Sequence, residues 1–74
     1  MGLESYIIKD WKGWDQQDLM CFTFYEAVLL QDVKGFKAGT LVDDATFDYG
    51  KSELTLELAG QKETVPLLLI ASES

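Results

Sequence analysis

The sequence predicts an all-β domain: a small five-stranded antiparallel barrel or meander spanning residues 1–74 as one unit. Three observations carry this. Leu54, Leu56 and Leu58 alternate with Glu53, Thr55 and Glu57, the period of a strand with one buried face. Short apolar segments recur along the chain, separated by turns that contain glycine. The long run Leu19–Leu30 is rich in aromatic and β-branched residues, as in Cys21-Phe22-Thr23-Phe24-Tyr25.

Taken in order, Ser5–Lys9 reads as a first short strand. Asp10–Gln17 reads as a polar loop carrying Trp11 and Trp14, with room for one helical turn at Asp15–Asp18 capped by Asp15. Leu19–Leu30 reads as a long strand, bent near Glu26–Ala27 and continuing to Val33. The alternative is an α+β arrangement with a helix over 15–34 packed on a β-meander: Asp15 would cap its start, and Gly35 would end it. Periodicity opposes that helix, because its apolar residues scatter all round the wheel and leave no polar face. Lys34–Thr40 is a glycine-bearing connection. Leu41–Val42 opens a strand that Asp43–Asp44 interrupt and Thr46–Tyr49 resume. Gly50–Lys51 turn the chain into the alternating leucine strand. Ala59–Lys62 is a hairpin loop, and Thr64–Ala71 is the last strand, with Pro66 near its start or on an edge.

Composition excludes several function classes. Thirteen acidic residues face six basic ones, all lysine, for a net charge of −7. That balance opposes binding to a phosphate backbone, and without arginine the usual bidentate reader of bases is missing. With no histidine there is no Ser-His or Cys-His pair, and the single cysteine, Cys21, lies in the most apolar run as an inert buried thiol. No glycine-rich phosphate loop is present. The expectation is a non-enzyme without cofactor or small-molecule substrate. Asp43, Asp44 and Asp48 could gather oxygens near a Ca2+, but they lack the spacing of an EF-hand, and a charged bulge that blunts a sheet edge explains them. The apolar runs are too short to span a membrane, and the N-terminus lacks the basic start of a signal peptide, so a cytoplasmic setting is expected.

A chain of 74 residues buries only about 60% of its unfolded surface and needs staples or partners. One cysteine allows no disulfide, and one cysteine with no histidine argues against structural zinc. Two segments are apolar on both faces: Leu19–Leu30, and the last strand, where Val65, Leu67 and Leu69 occupy one face and Pro66, Leu68 and Ile70 the other. A second apolar face predicts self-association or a protein partner.

Val33-Lys34-Gly35-Phe36-Lys37-Ala38-Gly39-Thr40 is similar to the turn that precedes a strand in SH3-like small barrels, and Val65-Pro66-Leu67 is similar to their closing segment. Over residues 28–70 the chain resembles that fold. It has no Ala-Leu-Tyr-Asp-Tyr run and no tryptophan pair in the place where signalling SH3 domains carry theirs. The resemblance implies a fold and a habit of binding partners, and not recognition of Pro-rich peptides.

Trp11, Trp14, Pro66, Leu68 and Ile70 are therefore the expected protein-contact residues, since tryptophan is enriched at interface hot spots. A second expectation is a small inhibitor of the kind phages encode, or a nucleic-acid mimic, that presents Asp43, Asp44, Asp48, Glu53 and Glu57 in a row to a basic protein. A third is a structural subunit of a larger assembly.

Overall fold

The computed structural model describes residues 3–68. It shows α1 (Glu4–Ile7), β1 (Ile8–Lys9), β2 (Gly13–Asp18), β3 (Cys21–Leu29), β4 (Leu41–Asp48), β5 (Glu53–Leu58) and β6 (Gln61–Pro66). The expected all-β class is what forms. All pairings are antiparallel, in the order β1-β3-β4-β5-β6, with β2 also on β3. Of the two expected forms, barrel and meander, the open meander is the one that forms, with six strands instead of five. β1 and β2 lie end to end on one side of β3, so they act as one edge ribbon broken at Asp10–Lys12, where Asp10 takes φ 57°.

The inner face follows from register. Phe22, Phe47, Leu54 and Val65 form one row across β3–β6; Phe24, Ala45 and Leu56 form the next. All of these except the partly buried Phe22 belong to the buried core. Aromatic packing ties it together: Phe24 meets Phe47 edge-on at 5.6 Å between centroids, and Trp11 meets Phe24 at 4.8 Å. Such pairs add to simple area burial. Val33 and Phe36, joined by reciprocal 2.8 Å backbone bonds, close one side from the loop between β3 and β4.

The bend expected near Glu26–Ala27 is present, and β4 shares it. Phe24 pairs with Ala45 facing inward, Tyr25 with Asp44 facing outward, and Ala27 with Val42 facing inward again. Glu26, at φ 54°, absorbs the change of face in β3. Asp43 and Asp44 therefore shift the alternation of β4 without interrupting it, because both strands slip by one residue together and keep their register.

Four expectations are corrected. Ser5–Lys9 is a strand only at Ile8–Lys9: α1 ends at Ile7 and the chain extends at Ile8, which buries both isoleucines at 1% exposure, whereas a strand throughout would turn one of them outward. Residues 15–34 form neither the alternative helix nor a helical turn at Asp15–Asp18; 13–18 form β2, because β3 has a free side there and its pairing satisfies the backbone. β3 stops at Leu29 instead of running to Val33. The last strand is Gln61–Pro66, entered by a two-residue turn in which Ala59 and Gly60 take φ 54° and 85°, the geometry that matches strand twist. Leu67 and Leu68 leave the sheet after Pro66, and Leu69–Ala71 lie outside the described residues.

One buried carboxylate joins α1 to the sheet. Glu4, 6% exposed, accepts a 2.5 Å hydrogen bond from the Tyr49 hydroxyl. Burial first, then this bond, pushes the Tyr49 pKa well above its ordinary 10. The folded state thus keeps a proton that the unfolded chain releases. The resulting stability is complete below about pH 10 and is lost as pH rises toward the raised folded value. Urea midpoints are expected to fall as pH rises above about 10, and to fall less in Tyr49→Phe. That variant should also lose about 1–2 kcal/mol at neutral pH. Equal alkaline slopes for the two proteins would remove Tyr49 as the cause.

Candidate interaction surface

The outer face of the sheet is polar over most of its area, with exposed Leu41 opposite half-buried Val28 at one end. Its central row is Thr23, Thr46, Thr55 and Thr64, directly opposed across β3, β4, β5 and β6. Thr23 Oγ1 donates to Gln17 Oε1 at 2.8 Å, so Thr46 Oγ1 must donate across the 3.0 Å contact to Thr23. Thr55 and Thr64 share a hydrogen bond of 2.9 Å. Thr23 is thereby satisfied although only 8% exposed.

Carboxylates flank this row on both sides. Asp44 opposes Glu57 and Asp48 opposes Glu53, like charges directly across from one another. Such pairs destabilise a sheet. Asp15 and Asp18 of β2 lie on the same face, opposite Thr23 and Cys21. Tyr25 donates to Asp15 Oδ2 at 2.7 Å. Tyr25, Asp44, Glu57 and Lys62 line one side of a shallow depression of about 380 Å3, with threonines on the other. Asp43 is turned aside and accepts from the Ala59 N–H at 3.1 Å. Four of the five expected acidic residues therefore share one face, in two pairs about 13 Å apart along the strands, not in a row at phosphate spacing. Sequence reading missed Asp15 and Asp18 because it placed Asp15 in a loop and allowed both a helical turn, where the alternation of a strand carries no meaning. Among the described residues no three acidic or cysteine side chains come together as metal ligands.

Cys21 is half-buried on this outer face, not enclosed as expected. Burial, then the charges of Asp48 and Asp18, push its thiol pKa up, which keeps it protonated and weakly nucleophilic. The second face of the Leu19–Leu30 run is thus Cys21, Thr23 and Tyr25 up to the bend, and half-buried Val28 and exposed Leu30 beyond it.

The expected contact residues do not form one patch. Trp11 is half-buried against Phe24. Trp14 packs over Phe22 and Phe24 at 6.1 and 6.3 Å yet remains 49% exposed. Pro66 and Leu68 are exposed, Leu68 at 74%. They lie by β6, four strands from Trp14, and Ile70 lies outside the described residues. The sequence reading had no way to see Leu19 and Met20, which it placed inside a strand. They form the two-residue turn between β2 and β3, 80% and 50% exposed. Such turns favour glycine, asparagine and aspartate. Register puts this turn, the β4–β5 turn and the Pro66 end of β6 along one rim. Met20 O accepts from the Tyr49 N–H, and Leu67 N–H donates to Ser52 O. The rim thus presents Leu19, Met20 and Leu68 to solvent.

Among the described residues no helix is long and apolar enough to cross a membrane. Searches of curated proteins and of solved structures return no match to this chain. A family model does match, over residues 1–73, and the chain belongs to that family, a family of unknown function (DUF8533).

Proposed function

We propose that this protein is a non-enzymatic interaction module that meets another protein, or a second copy of itself, through the rim carrying Leu19 and Met20. One observation carries the reading: two long apolar side chains fill an exposed hairpin turn, where turn chemistry calls for small or polar residues. A local rule broken at an exposed site marks function more often than folding. Trp14 on the adjoining strand supplies an aromatic anchor of the kind enriched at interface hot spots. The opposed acidic pairs favour a basic partner.

The test is the double variant Leu19→Ser, Met20→Ser. Both side chains are exposed, so stability should change by less than about 0.5 kcal/mol per site. Self-association in sedimentation velocity, or co-purification of a partner from native lysate, should be lost. Unchanged sedimentation and an unchanged set of co-purifying proteins would remove the rim from the reading.

A further inference from the structure

The two edges of the sheet are guarded unequally. β6 carries Lys62 and Pro66, both of which discourage a further strand. β2 is six residues long, pairs only with β3 among the described residues, and is exposed from Trp14 to Asp18. It contains no proline and no lysine. A bulge between Gln16 and Asp18 is its one irregularity. The faces of this edge differ in chemistry. Outward it shows Asp15 and Asp18, which lead into the acidic outer face; inward it shows Trp14, half-exposed over Phe22 and Phe24.

We infer that β2 accepts an extended segment of a partner protein as an added strand, with basic residues on alternate positions and apolar residues between them. This rests on the interaction reading above and names its partner's chemistry. Main-chain hydrogen bonds to the open edge supply affinity, and alternate side chains supply specificity. The segment's outward residues fall about 5 Å from Asp15 and Asp18, the spacing of directly opposed cross-strand side chains. They also face the field of Asp44, Asp48, Glu53 and Glu57, which Lys62 opposite Glu57 and Lys51 near Cys21 offset only in part. Its inward residues fall beside Trp14 and extend the aromatic cover of Phe22. A second copy of this chain fits worse, because its own Asp15 and Asp18 would bring like charges together.

The probe is a synthetic ten-residue peptide alternating lysine and valine, with an equally charged version N-methylated at alternate amides. Titration of the 15N-labelled protein should shift the amides of residues 13–18 first. The N-methylated peptide should bind at least tenfold more weakly, since it keeps the charge and loses the main-chain donors. A Glu-Val peptide should not bind. Asp15→Asn with Asp18→Asn should weaken the lysine peptide several-fold while leaving the fold intact by circular dichroism. Equal binding of the N-methylated peptide, or shifts centred on β4 and β5, would reduce the effect to charge alone and overturn the inference. Peptide-independent dimerisation with protection of residues 13–18 would give the edge to a second copy and overturn it too. The Leu19, Met20 variant separates the two readings: unchanged association with normal peptide binding fails the rim alone, and lost association with no peptide binding by the parent protein fails the edge alone.

Discussion

Replacing Phe47 by alanine is expected to remove a large share of the protein's stability. Phe47 is fully buried at the middle of the inner face, opposed by Phe22 on one strand and Leu54 on the other. Its ring meets Phe24 at 5.6 Å and Tyr49 at 6.1 Å. Truncation removes the transfer energy of the ring and leaves a cavity that rigid neighbouring strands cannot close, a loss of about 3–5 kcal/mol. A domain of this length holds roughly 4–11 kcal/mol in all. Urea denaturation followed by tryptophan fluorescence measures the effect directly. A loss under about 1.5 kcal/mol would mean that the aromatic cluster is not the centre of the core.

Ile7→Ala and Ile8→Ala should each cost about 2–4 kcal/mol. The pair is informative because they are neighbours. If the N-terminal segment were a strand, one side chain would face out and its truncation would be nearly silent. The turn of α1 followed by extended backbone at Ile8 buries both. Hydrogen bonds hold the segment there: Leu30 N–H donates to Ile7 O at 2.7 Å, and Ile8 pairs with Leu29 in β1. Two similar losses in thermal melts support the helical turn. One large and one negligible loss would restore the strand.

Much of the sheet was legible in the chain. The Leu54–Leu58 alternation marks β5 because Glu53, Thr55 and Glu57 meet solvent and the leucines do not. The all-β class follows from the same pattern repeated in Thr46–Tyr49 and from the absence of a polar helical face in Leu19–Leu30. Even the bend at Glu26–Ala27 showed in the sequence, as the one charge in that run. β2 did not show. Trp14-Asp15-Gln16-Gln17-Asp18 has little apolar alternation, and it is a strand because β3 offers it backbone partners. The N-terminal turn was hidden for the opposite reason: Tyr6-Ile7-Ile8 has strand composition, and burial of two neighbours overrides it.

The candidate surface divides along the same line. The acidic residues of β4 and β5 could be placed on one face by counting in twos. Asp15 and Asp18 joined them only through pairing with β3, and Leu19 and Met20 emerged as a turn only once β2 existed. By itself the sequence determined the class of the fold, the core leucines and phenylalanines, and the excess of negative charge, because each depends on local period or on composition. Only the tertiary structure decided the open edge, the apolar rim and the separation of Trp14 from Pro66. Those features depend on which strand lies beside which, and that is set by backbone groups every residue shares.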